Sequence, residues 1–322
     1  MRKTLTAIGV ASTVAVAATA CGTSDASSET TLRVGSLGAT EKALFLAAGQ
    51  DKGTSYRIKW STFPAGPQLV EAEKAGAVDV GLAASTPSIF AQASGAPIKA
   101  VAVLKPRNPA LSAQAILVPK DSPIKTVADL RGKKVAVTQG TILQYLLIKA
   151  LAKNGLSYKD VKPVNLQIPD ALTAFKRGDV DAWSTIDPYR AQAEGLLGAR
   201  AIETGAGYGV GAFYSIARAK AVGDAKLSPA LRDFVKRTAK AHEWANANPD
   251  AWANAYSKAN NVPLPLAKAL LGRGSAVETQ ISASVIADQQ AQADSYFQLG
   301  LLPRKLDVHE EFDTRFNSEF AS

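Results

Sequence analysis

The 322-residue chain carries 37 Lys and Arg against 28 Asp and Glu, a formal net charge of +9, with 47% hydrophobic and 20% charged residues. That balance describes a packed globular protein and excludes a disordered or fibrous chain. The lone cysteine, Cys21, excludes an internal disulfide, a cysteine-ligated metal site and a thiol nucleophile in the folded body.

The basic residues are scattered rather than gathered into a stripe with aromatics. The charge therefore reads as a solvated exterior, and nucleic acid is not expected as a partner. Arg2 and Lys3 precede the apolar run AIGVASTVAVAATA. That run is short of the roughly 20 residues a spanning helix needs and ends in small residues, as a cleavable export signal does. Ala18-Thr19-Ala20-Cys21 resembles a bacterial lipobox, in which Cys21 becomes the lipidated first residue. Residues 1–20 are predicted as a lipoprotein signal peptide and 21–30 as a flexible Ser/Thr-rich tether. The competing reading is an ordinary secretory signal cut near Ala20. Loss of Arg2 and Lys3 takes the formal charge from +9 to +7. No second run is long enough to cross a bilayer, and the remaining length suits two domains.

Strand and helix patterns then alternate. Leu32 to Gly35 reads as a strand, EKALFLAAGQDKG as a helix closed by Gly53, and Tyr56 to Phe63 as a strand of alternating apolar residues. Pro67 suits the first turn of a helix over QLVEAEKAG. A strand over Val78 to Leu82, a helix opening at Ser85-Thr86-Pro87 and a strand over Ile98 to Leu104 complete one unit. The rhythm restarts with strands at Ala115 to Val118, Lys134 to Val137, Val164 to Leu166 and Val180 to Trp183. Between them come a short helix at Thr126 to Leu130 and helices over ILQYLLIKALAKNG and ALTAFKRG, and PYRAQAEGLL follows as another helix. Such βαβ repetition predicts an α/β fold of two lobes, each a mostly parallel sheet flanked by helices. GAGYGVGAFYSIARAK fits neither the dinucleotide nor the P-loop glycine pattern and reads as a crossover back to the first lobe. Helices fill the rest, with Trp244, Trp252 and Tyr256 at core spacing.

Open α/β sheets bind ligands beyond the carboxyl ends of their strands, where helix N-termini aim free amides into a crevice. Four such ends are Gly38-Ala39-Thr40, Ala65-Gly66-Pro67, Ser85-Thr86 and Thr138-Gln139-Gly140-Thr141. Trp183 to Asp187 makes a fifth, with Trp183 as an apolar wall. Each helix end is worth roughly 0.3–1 kcal/mol to a nearby anion, so several together could hold an acid group without an arginine. Taken singly, each Ser or Thr is as well explained as a cap on its own helix.

FPAGPQLVEA, VDVGLAASTPSIFAQASGAPIKAVAV, VPKDSPIKTVADLRGKKVAVTQGT, FKRGDVDAWSTIDPY and GLLPRKLDV together resemble the aliphatic sulfonate-binding proteins of ABC importers, across nearly the whole chain after the leader. That resemblance implies a periplasmic binding protein type II fold. It places lobe I at 31–112 and 212–322 and lobe II at 113–211, with hinge strands Ala113 to Val118 and Ala212 to Ala217. It maps a pocket onto Gly38, Ala39, Gly66, Ser85, Thr86, Gln139, Gly140, Thr141, Trp183 and Tyr214, with Phe213 beside it. A monomer, a small-molecule ligand and a permease partner follow, on the extracytoplasmic face of the cell membrane, with no cofactor or metal. The sequence departs from the family at the pocket itself. Leu37 stands where Gln is usual, Ala84 or Ser85 where Asp is common, and Gly140 to Tyr145 (GTILQY) where a Ser-rich helix start with His is usual. Each lost hydrogen bond to a charged group removes about 1.5–3 kcal/mol, so a larger or more apolar ligand than a simple sulfonate is expected.

The same fold hosts a desulfinase and a thiamine-pyrimidine synthase, which rely on cysteine and histidine. This chain has no cysteine beyond the leader, and its two histidines, His242 and His309, lie far from every crevice segment, so catalysis is not expected. A sensor that signals to a membrane kinase would carry the same sequence features.

Overall fold

The computed structural model describes residues 29–320. The predicted signal peptide, Cys21 and nearly all of the predicted tether lie outside the described residues.

The first unit runs β1 (Thr31–Leu37), α1 (Thr40–Ala47), β2 (Arg57–Phe63), α2 (Gly66–Lys74), β3 (Val80–Ala84), α3 (Ser85–Ala93) and β4 (Ile98–Pro106). Next come β5 (Gln114–Val118), β6 (Lys134–Val137), α4 (Ile142–Lys153), β7 (Lys162–Asn165), α5 (Ile168–Arg177), β8 (Ala182–Ile186), α6 (Tyr189–Leu197) and β9 (Arg200–Thr204). The chain returns through β10 (Phe213–Arg218), α7 (Ala219–Gly223), α8 (Leu227–Ala247), α9 (Pro249–Asn260), α10 (Leu264–Arg273), β11 (Ala276–Thr279) and α11 (Ala283–Gln298).

These strands form two sheets, ordered β11-β4-β10-β3-β1-β2 and β7-β6-β8-β5-β9. With β11 set aside, the two orders are equivalent. In each, two strands flank the first of a parallel set, and an antiparallel strand is wedged before the last. That wedge is the first strand laid down after each crossover: β5 in the second sheet, and β10 between β3 and β4 in the first. Two lobes, I and II, joined by two crossovers are therefore written into the topology. The antiparallel β5 and β10 interrupt the parallel sets that the sequence rhythm predicted, and β11 adds an antiparallel edge.

Local chemistry explains the elements. In α5 the buried Ala171, Ala174 and Phe175 recur at helical spacing, Lys176 and Arg177 sit in the last turn, and Gly178 ends the helix at a φ of 77°. α1 stops at Ala47, earlier than the Gly53 stop predicted. Asp79 is fully buried, and Arg33 and Arg218 tie its carboxylate to β1 and β10. One apolar cluster runs through both lobes, from Leu69 and Val103 past Tyr214 and Tyr296 to Ile116 and Leu146. Trp252 and Tyr256 are buried beside Leu44 and Leu270.

Candidate functional site

The helix tips of lobe I form one contiguous arc. The Gly38 N–H donates to the Phe63 carbonyl at 3.1 Å, joining the α1 turn to the end of β2. Gly66 opens α2 against α3, so closely that a Cβ there would lie 2.8 Å from Cγ of Pro87. The Ser85 N–H donates to the carbonyl of Ala212 at 3.3 Å, which fixes the α3 tip to the second crossover. None of these three helices has a side-chain cap, although the Ser85 N–H at the start of α3 is already engaged by Ala212.

Lobe II offers a different tip. Thr141 caps α4 by accepting from the Leu143 N–H at 3.3 Å. Gln144 Oε1 accepts from the Gly140 N–H at 3.0 Å, and Asn165 Oδ1 from the Gln139 N–H at 3.1 Å. The α4 amides that the sequence offered to a ligand are thus partly satisfied by their own chain. α4 is drawn to α3 all the same. Tyr296 of α11, fully buried, donates from its hydroxyl to the Thr141 carbonyl at 3.3 Å and packs its ring on Phe90 of α3 at 5.1 Å. Burial pushes that hydroxyl well above the usual tyrosine range.

Two sequence-predicted residues, Trp183 and Tyr214, are buried away from the tips, and two more, Ser85 and Thr86, have their hydroxyls engaged within the chain. Trp183 is 1% exposed and stacks near Phe175 in the core of lobe II, 5.8 Å between ring centres. The cause is the true end of β8, which runs on to Ile186 because Gln114 pairs with it. Trp183 therefore sits early in the strand rather than at its tip. Tyr214 is buried, donating to Gln289 Oε1 at 3.2 Å, while Phe213 beside it is half-buried at the strand start. Ser85 and Thr86 stand at the α3 tip, but Gln292 holds both hydroxyls, accepting from Ser85 Oγ at 2.9 Å and donating to Thr86 Oγ1.

The strand ends themselves carry half-buried apolar side chains. Leu37 and Phe63 are register partners at the ends of β1 and β2; Phe213 opens β10; Ile186 ends β8; Ile168 begins α5. All five pack against the cluster shared by both lobes. The sequence reading expected a helix at α11 but gave it no part in the site, although its buried Gln289, Gln292 and Tyr296 recur at helical spacing. That polar stripe on one face of a helix was the available signal.

Two hollows are present, and the first touches the arc only through Glu41 in the opening turn of α1. Inside lobe I a cavity of about 30 Å³ is lined in part by Glu41, Leu82, His242 and Glu278. It has room for a water and none for an organic solute. Burial pushes Glu41 up to about 7 and Glu278 up to about 6, and lowers His242 to about 4. A groove of about 500 Å³, between Tyr145 and Lys149 of α4 and Asp288 of α11, receives none of the tips. Among the described residues no three His, Cys, Asp or Glu are placed to hold a metal ion, and no helix is long and apolar enough to cross a membrane.

Paired sheets of equivalent order, two crossovers and the approach of α3 and α11 of lobe I to the α4 tip of lobe II define the periplasmic binding protein type II fold. The chain matches the NMT1/THI5 like family over residues 62–252. It is 36% identical to an aliphatic sulfonates-binding protein of Escherichia coli (strain K12), covering 79% of this chain and 78% of that one. A counterpart in Bacillus subtilis (strain 168) is 30% identical over 86% and 82%. Among solved structures, the alkanesulfonate-binding protein SsuA from Xanthomonas axonopodis pv. citri, bound to MOPS, superposes with a TM-score of 0.80 at 31% identity, over 88% of this chain and 98% of that one. The chain belongs to this family.

Proposed function

We propose that the protein is an extracytoplasmic solute-binding lipoprotein that closes its two lobes on a small organic anion and delivers it, unaltered and as a monomer, to the permease of an ABC importer. The observation that carries this reading is the set of α1, α2 and α3 tips without side-chain caps, together with half-buried apolar strand ends of both lobes packed on one shared cluster. The acid group rests on lobe I at the tips marked by Gly38, Ala39, Gly66 and Ser85, on amides other than those of Gly38 and Ser85, which donate to Phe63 and Ala212. Ile168 and Ile186 of lobe II meet the ligand body, with Leu37 and Phe63 alongside. Gln139, Gly140 and Thr141 close over it from the α4 tip, where fewer donors are free. Relatives that bind sulfonates support an acid ligand; the apolar strand ends favour one with an alkyl or aryl body. Binding without turnover is supported by the histidines: His242 faces the internal cavity of lobe I, and His309 is exposed beside Asp307.

A thermal-shift screen of alkyl and aryl sulfonates, sulfate esters and carboxylates tests this reading, because a ligand of the native state raises the melting temperature. Alkyl or aryl sulfonates are expected to give the largest shifts and to be recovered unchanged by mass spectrometry. A panel without any shift, or a ligand consumed, overturns it. Anchoring through Cys21 predicts that Cys21→Ser moves the protein from the membrane fraction to the soluble one. Retention of that variant in the membrane removes the lipid anchor from the reading.

A further inference from the structure

Arg273, the last residue of α10 in lobe I, reaches across to lobe II. Its Nε donates to Asp187 Oδ2 at 2.8 Å and its Nη2 to Asp187 Oδ1 at 2.8 Å, the two-pronged geometry that makes arginine–carboxylate pairs strong. Its Nη1 lies 3.6 Å from Glu194 Oε2. Among the described residues, every ion pair that joins the two lobes has Arg273 as its cation.

Both partners are held in place. Asp187 follows β8, its N–H donates to the Ala113 carbonyl at 3.1 Å, and its Oδ1 also accepts from the Ala191 N–H of α6 at 3.2 Å. Glu194 accepts from Arg190 Nε at 2.8 Å, and Arg190 Nη1 donates to the Ser112 carbonyl at 2.7 Å on the first crossover. On the lobe I side, the Arg107 N–H donates to the Ser275 carbonyl at 2.9 Å, which ties the segment after α10 to β4. The Asp187 side chain is 8% exposed and that of Arg273 25%. Parting the lobes here would exchange the two-pronged Arg273 contact of Asp187 for water.

We propose that the Arg273–Asp187 pair, with Glu194 behind it, is an electrostatic latch that biases the lobes toward closure without touching the ligand, so that Arg273 is a positioning residue for solute retention. A latch of this kind changes affinity only through the population of the closed form. The proposal rests on the reading of the lobes as a solute clamp. Its test separates the two.

Small-angle scattering of the ligand-free full chain is the first measurement. Arg273→Gln and Asp187→Asn are each expected to enlarge the radius of gyration, with the double variant no larger than either. Wild type should expand likewise as salt rises from about 0.05 to 0.5 M, which shortens the screening length. The amide oxygen introduced by Asp187→Asn would still accept from the Ala191 N–H, so the α6 cap survives. Arg273→Lys, which keeps the charge and loses the fork, should fall between, and circular dichroism checks that each variant is folded. With octanesulfonate as probe, Kd is expected to weaken about tenfold in both single variants, carried by faster release. Scattering that stays the same in every folded variant and at both salt levels overturns the latch, whatever octanesulfonate does. Expansion of the variants, with octanesulfonate neither binding nor compacting wild type, keeps the latch and overturns the solute reading.

Discussion

The two lobes meet along two seams built on opposite principles. On the α11 seam the crossing contact is neutral and buried: Tyr296 donates to Thr141 of lobe II, while within lobe I Gln292 and Gln289 fix α11 to the α3 tip through Ser85, Thr86 and Ser88. On the α10 seam a partly exposed guanidinium meets carboxylates. A buried network of neutral donors is costly to break, because every freed group loses its partner. A charged contact near solvent is weakened by salt and remade by water. The first seam is suited to stay shut and the second to yield, although both lie beside crossovers.

Substitutions can break that contrast. Tyr296→Ala removes a fully buried ring packed on Phe90 and Tyr145, and is expected to cost about 3–5 kcal/mol in denaturant unfolding. A loss below about 1 kcal/mol would mean that α11 does not bind the lobes together. Glu311→Gln probes, through pH, the lobe I network that holds α11 in place. Burial pushes the Glu311 carboxyl up to about 7 while Ser88 and Gln289 hydrogen-bond to it. A folded-state value raised above the unfolded one means that the native state holds a proton the unfolded chain has released. The stabilisation is therefore present in acid and lost as pH rises through about 7. Wild type should lose melting temperature relative to Glu311→Gln by a few degrees between about pH 5 and 8, and parallel curves would remove this group from the network. The smallest change is Tyr296→Phe, which keeps the ring and deletes the hydroxyl with its bond to Thr141 and its contacts to Thr86 and Gln292. It should cost about 1 kcal/mol and, unlike the Arg273 variants, leave the salt dependence of scattering unchanged.

Much of this architecture is local and so was readable along the chain. Alternating strands and helices, the Pro67 start of α2 and the glycine stop of α5 follow from short-range sterics and capping. The positions that misled were decided by distant partners. Trp183 was placed at a strand tip because the end of β8 is set by pairing with Gln114, which no nearby residue announces. Ser85 and Thr86 have the composition of a ligand-facing helix start, yet Gln292, more than two hundred residues later, engages both hydroxyls. β9 and β11 were absent from the sequence reading because short edge strands carry little periodicity of their own. Arg273 resembled any arginine at a helix end, where it complements the helix dipole. Only tertiary folding opposes it to Asp187.

The wedge position of β10 has a consequence for how the polypeptide is made. Lobe II is one uninterrupted stretch, whereas the sheet of lobe I waits for a strand that emerges only after all of lobe II. Until then β3 and β4 have no neighbour between them, and their backbone edges are open to other chains. A nascent or truncated product ending before residue 213 would expose that slot, making it the place where a chaperone, or an aggregate, would first take hold.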